Sequence, residues 1–257
     1  GTANFSGAYT ADTTKVSGGT AKFNGLYTGA TTNVMSSGTA DFHGAGSTKV
    51  LNLSGGILGG SLTLLGNSSW TGGTIAGSVA VAQSALLDKS GPDTVTLTGG
   101  LVNLGKVKLS GGQINLGGFP STTNTLGSSA INNIGTFEFA NDLTSVSGAS
   151  SFTNTGTVIK TGGTGTATLG APLLVAASGL WKINTGTLNL DGGSVGVFAS
   201  TPQRVAVDTL AGGTLAFHAG TFNMGGLTAV TGSTVAFTGG TANFSGAYTA
   251  DTTKVSG

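Results

Sequence analysis

Residues Gly240 to Gly257 repeat residues Gly1 to Gly18 letter for letter. A string of that length does not recur by chance, so the chain reads as one unit, residues 1–239, followed by residues 240–257 as the start of the next identical tandem copy. Modules in tandem stack on their neighbours. The expected object is quasi-one-dimensional, suited to spacing, reach or self-assembly before chemistry.

A shorter period lies inside the long one. GTANFSG begins at Gly1, GTAKFNG at Gly19 and GTADFHG at Gly38, a nearly constant spacing. Alignment puts Ala3, Ala21 and Ala40 in one column, Phe5, Phe23 and Phe42 in another, and Asn4, Lys22 and Asp41 between them. Side chains alternate across a strand, so the Ala and Phe columns face a core and the Asn/Lys/Asp column faces solvent. On that facing, Phe23→Asp unfolds several turns and Lys22→Asp is nearly silent. At the far end Phe217 and Phe237 stand one row apart, and Met224 and Phe244 have the same separation. There the rows read as three short strands, residues 234–237, 241–244 and 247–250, between glycine turns.

Short strands repeating about every 20 residues are the plan of an all-β parallel β-helix, a β-solenoid of about twelve coils. The general handedness of parallel crossovers makes it right-handed. Equivalent residues then stack one coil apart, and Ala3, Phe5, Ala21, Phe23, Ala40, Phe42, Phe217, Met224, Phe237 and Phe244 form the structural core ladder. Residues 118–134 contain Pro120, a Ser/Thr/Asn cluster and little alternation, which reads as a loop leaving the solenoid. No segment carries a sustained helical period, so helix is expected to be nearly absent.

Composition removes whole classes of function. Charged residues make up 7% of the chain, against roughly 25% in an ordinary domain, while 48 of 257 residues are Gly. The net charge is +1 and the ten Lys and Arg form no run, so no electrostatic footprint for nucleic acid is present. Apolar stretches such as Leu173 to Ala177 fall far short of the ~18 residues of a membrane span. The chain has no Cys, which excludes disulfides and thiolate metal sites. No cofactor and no metal ligand set are expected.

Candidate chemistry is equally sparse. Gly192 to Gly196 fits the G-x-S-x-G nucleophile pattern, but strand-like sequence follows where a helix is needed. Gly100 to Lys106 approaches a phosphate-binding loop, yet Val107 replaces the Ser or Thr that would hold magnesium. His43 and His218 each follow a Phe at a strand end and read as solvated turn residues. Glycoside chemistry needs clustered carboxylates; here only Asp88 with Asp93, and Asp142 with Asp191 on a neighbouring coil, are candidates, and an enzyme is not expected. Tyr9 and Tyr27, one row apart, read as core packing or as a surface ladder for sugars. Asn52, Asn115, Asn189 and Asn223 stand between apolar neighbours and face outward, where stacked amides can bond along the rod or simply be solvated.

IGTFEFA from Ile134, FTNTGTVIKTGGTGTATLGAPL from Phe152 and NTGTLNLDGG from Asn184 resemble the repeats of giant bacterial surface proteins of the filamentous-haemagglutinin-like and autotransporter-passenger-like kind. The resemblance covers residues 134–193 best. It implies export to the extracellular space or cell surface, a right-handed β-helix, and roles in adhesion, stalks or filaments, and it carries no catalytic residues. The expected function is thus a structural module of a stiff extracellular filament whose partner is itself, end to end and laterally. The alternative is an adhesin binding glycans or a host surface through loops.

Overall fold

A computed structural model describes residues 1–117, 130–175, 179–194, 206–209, 212–224, 230–244 and 248–256. Alternation governs it. In Ser78–Val81, Thr94–Leu97 and Lys106–Leu109 the second and fourth residues are buried and the first and third point outward. Such a strand buries only two side chains, so it gains a core only when the chain turns and closes on itself. Repeated closure produces a parallel β-solenoid of about ten to twelve turns, with no helix among the described residues. Each strand pairs in parallel with its counterpart one turn on, as when Thr2–Phe5 meets Thr20–Phe23 and Thr94–Leu97 meets Gln113–Leu116.

Three ladders of strands form the walls. The first face runs from Thr2–Phe5 and Thr20–Phe23 through Thr94–Leu97, Gln113–Leu116 and Thr166–Leu169 to Gly213–Phe217 and residues 235–237. The second holds Tyr9 to Ala11, Ser78–Val81, Gly100–Asn103, Ile131–Asn133 and Phe152–Asn154. The third holds residues 13–16 and 31–34, then Leu86–Lys89, Lys106–Leu109, Thr136–Phe139, Thr157–Lys160 and Leu180–Ile183.

Turns are unequal, which explains a count at or below the expected twelve. Thr2 has Thr20 as its register partner, whereas the turn from Lys106 to its partner Thr136 is much longer, because residues 118–129 lie within it. That segment is outside the described residues, but the loop expected over 118–134 ends sooner than the sequence suggests. Ile131–Asn133 is a strand in register with Leu101, Val102 and Asn103, with Ile131 and Asn133 turned inward. Three strands per row holds through the middle of the stack, while in some rows two of them run together without a break. Tyr9–Val16, Tyr27–Val34 and Tyr248–Val255 each run eight residues, and the register of the first two resumes past a corner at Asp12 and Ala30, from Ala11 opposite Gly29 to Thr13 opposite Thr31.

Other corners demand glycine. At one of them Gly105, Gly135 and Gly156 stack in a column; a Cβ on Gly135 would lie 2.1 Å from the Gly105 carbonyl oxygen, and one on Gly156 would lie 2.2 Å from that of Gly135. The turns approach too closely there for any side chain. Glycine content thus follows from the spacing of about 4.8 Å between stacked strands.

Phe23 and Phe42 are fully buried, and their rings stack with centroids 5.0 Å apart. Ala40 is buried and Ala21 half-buried, whereas Phe5 is half-buried and Ala3 exposed, because they lie on the terminal turn. Phe217 is buried and stacks on half-buried Phe237 at 5.3 Å, with half-buried Phe244 edge-on to both. Met224 is in register with Phe244; its side chain lies outside the described residues. Trp70 and Tyr27 are fully buried, and Trp181 nearly so.

Candidate functional site

Polar groups inside the bore are what alternation alone does not anticipate. On the second face Asn103, Asn133 and Asn154 occupy one inward column and are all buried. Asn103 Nδ2 donates to Asn133 Oδ1 at 2.7 Å, and Asn133 Nδ2 donates to Asn154 Oδ1 at 2.7 Å. The same amides also donate to the corner carbonyls of Thr136 and Thr157. Burial strengthens such a chain and makes breaking it costly.

Two lysines also point inward. Lys89 and Lys160 are fully buried in the column that contains Trp70, Leu109, Phe139 and Ile183. The Lys89 ammonium donates to the carbonyl oxygens of Gly111 at 2.8 Å and Gly91 at 3.0 Å. Burial pulls its pKa below the ordinary lysine value, against the attraction of Asp93 and Asp88. Lys160 donates to Gly162 at 2.6 Å and to Asp142 at 2.8 Å. Each ammonium therefore ties together the turns around its corner, and neither faces an open cleft.

Outside the bore, stacking assembles charge from distant parts of the chain. Lys108 is in register with Asp88 on one side and Glu138 on the other. Lys106 Nζ lies 2.6 Å from Glu138 Oε2, and Thr161 Oγ1 donates to Glu138 Oε1 at 2.5 Å. Burial pushes the Glu138 pKa up, but the bonds from Lys106 and Thr161 outweigh it and hold the carboxyl below its ordinary value. Asp88 accepts from Ser110 at 2.7 Å. Asp142 and Asp191 each have their own partner: Asp142 is held by Lys160 and by the Gly165 backbone N–H, which lower its pKa, and Asp191 lies 3.0 Å from His218 Nδ1. His43 is likewise taken up by Asp41, at 2.9 Å.

The remaining motifs resolve structurally. Ser194 bridges to Leu173, and its hydroxyl accepts from the Asn223 backbone N–H at 2.9 Å; the residues that follow it, 195–205, lie outside the described residues. Gly100–Asn103 and Lys106–Leu109 are strands, without the helix a phosphate loop needs. Tyr9 and Tyr27 stack at 5.8 Å on the core side. Asn52 bonds down to Asn33 at 2.9 Å and accepts from Ser69 above at 3.0 Å, and Asn243 donates to Asn223 at 2.8 Å, so two stretches of outward amides do bond along the stack. The inward lysines and asparagines were legible in principle. Lys89 and Lys160 stand two residues after Leu87 and Val158, the spacing that puts them on the same side as a buried residue.

No family model, no curated protein and no solved structure matches the chain. Among the described residues there is no helix long and apolar enough to cross a membrane and no group of three His, Asp or Glu side chains placed to hold a metal ion.

Proposed function

We propose that this chain is a structural tandem-repeat module of a stiff filament or stalk on the outside of a bacterium. The observation that carries the reading is that the parallel stack among the described residues includes strands of the same 18-residue string near both ends, Thr2–Phe5 and Tyr9–Val16 at one and Thr241–Phe244 and Tyr248–Val255 at the other. Hydrogen bonds between turns lie along the rod, so tension loads those of all three walls together. Aromatic and aliphatic columns keep water out of the bore, and buried lysines and amides pin successive turns in register. Carboxylates that hydrolytic chemistry would need are engaged by Lys106, Lys160, His43 and His218. Sparse charge weakens repulsion between rods and favours their lateral association.

Electron microscopy of chains carrying one to four copies tests this. Rods should lengthen by about 55 Å per added copy, at ~4.8 Å per turn. Lengths independent of copy number would reject the module as a rod element. Antibody against the chain should label intact, unpermeabilised cells; labelling only after permeabilisation would reject the surface location.

A further inference from the structure

The repeated 18-residue turn is covered from opposite sides at the two ends of the molecule. At the beginning, Thr20–Phe23 and Tyr27–Val34 lie on it: Thr20 N donates to Gly1 O at 2.9 Å, and Phe5 stacks on Phe23 at 5.0 Å. Its other side is bare there, and the bore opens into a cavity of about 550 Å³ lined by Ala3, Phe5, Tyr9, Thr14 and Val16 among others. At the end of the chain the bare side is the one that is covered. Thr241 N donates to Gly220 O at 2.9 Å, Asn243 donates to Asn223 at 2.8 Å, and the Phe244 ring lies 5.7 Å from Phe217 and 5.8 Å from Phe237.

The two views also differ in the wall that the string occupies. Thr2–Phe5 belongs to the first face, with Thr20–Phe23 above it. Thr241–Phe244 pairs instead with Thr221–Met224, which reaches the second face through the Ser194 N to Thr221 O bond and the Ser194 to Leu173 bridge. The TTKV segment moves in the same way. Residues 13–16 pair with 31–34 on the third face, but Thr252 to Val255 pair with residues 234–237 on the first. Identical sequence therefore recurs one wall further round.

We infer that the occupant of the bare side of turn 1–18 is the last complete turn of a preceding copy of this chain, and that each junction advances the module by one wall of the three. This rests on the tandem-rod reading. The mechanism is register. A 239-residue unit winds through a whole number of turns plus one wall, because its corners and excursions differ in length and the string stacks wherever the winding delivers it. The core continues across the join, since Phe244 stands on Phe217 and Phe237 and, as Phe5 of the next copy, carries Phe23 and Phe42. Any patch on one copy is then offered on the adjacent wall by the next, in addition to the gradual twist of stacked strands. Side-by-side contacts are thereby distributed around the rod and not confined to one flank.

The chain has no Cys, so paired cysteines can report the junction. In an array of four copies ending in residues 240–257, spin labels are placed at Asn223→Cys of the first copy and Lys22→Cys of the second. The inferred join puts them two rungs apart on one wall, about 10 Å between backbones, and strong dipolar broadening is expected. A second array pairs Thr234→Cys of the first copy with Lys22→Cys of the second, and should show far less. Stronger broadening in the second array than in the first means in-phase stacking and overturns the wall advance; broadening in neither means jointed copies and overturns the continuous core. Rod length against copy number, measured on the same arrays, separates either failure from failure of the rod itself. An image reconstruction of the unlabelled array, traced for the wall occupied by each TANF strand, gives the same decision without substitutions.

Discussion

Phe5 and Phe23 lie face to face across two turns of the solenoid, with ring centroids 5.0 Å apart and planes 8° from parallel. Parallel in-register strands place equivalent atoms one rung apart, so rings that share a rotamer must stack offset along the axis. Phe42 continues the column.

Phe23→Asp puts a charge into that column with no partner and should cost several kcal/mol, since even Phe→Ala in a core costs about 3–5 kcal/mol. Thermal melts should show a large drop. The register revises the outward control. Lys22 stacks on Asp41, so Lys22→Asp places like charges opposite each other and costs about 0.2–1 kcal/mol, while Lys22→Asn should melt like the unmodified chain.

Replacing one amide of the inner ladder should hurt more than replacing all three. Asn133→Leu leaves Asn103 and Asn154 without their shared partner, a penalty of about 1–3 kcal/mol per unsatisfied group. The triple change of Asn103, Asn133 and Asn154 to Leu removes the unsatisfied side chains. Denaturant midpoints should rank the triple variant above the single one; the reverse order would show that the amides stabilise by more than mutual satisfaction.

Gly135→Ala forces a methyl group to within 2.1 Å of a backbone oxygen and should destabilise by about 1–3 kcal/mol. Gly7 has no atom within 4 Å of where its Cβ would stand, so Gly7→Ala should leave the single unit unchanged. Paired melts of the two variants check the close stacking of corners.

Glu138 has a folded pKa below its ordinary value of 4.5, so the unfolded chain binds its proton more readily. The stability this carboxylate supplies is therefore fully present above pH 4.5 and is lost as the pH falls through the lowered folded value. Lys89 also makes stability rise with pH, but by relief of a penalty. Its folded pKa lies below 10.5, so it weakens the fold at neutral pH and the penalty is relieved as the pH rises from that lowered value to 10.5. Denaturant titrations against Glu138→Gln and Lys89→Met should recover these slopes as differences from the unmodified chain; a Glu138→Gln variant equally acid-sensitive would refute the first.

The facing of Ala and Phe rows, the lack of helix and the parallel stack are all consequences of short-range alternation combined with a nearly constant row length, and both are written in the chain. Alternation also held the parity of Lys89 and Lys160. What made inward ammonium groups tolerable was an acceptor from another turn, the Gly111 carbonyl for Lys89 and the Asp142 carboxylate for Lys160, which comes within reach only once turns are stacked. Likewise Lys106 meets Glu138 and Asp191 meets His218 across a turn whose length depends on its loops, and no local pattern fixes that length. Sequence by itself determined which side of each strand enters the core, because that depends on parity between neighbours. Tertiary structure decided which wall each strand joins, because wall assignment sums every corner and excursion before it; for that reason one identical string stands on different walls at the two ends of the chain.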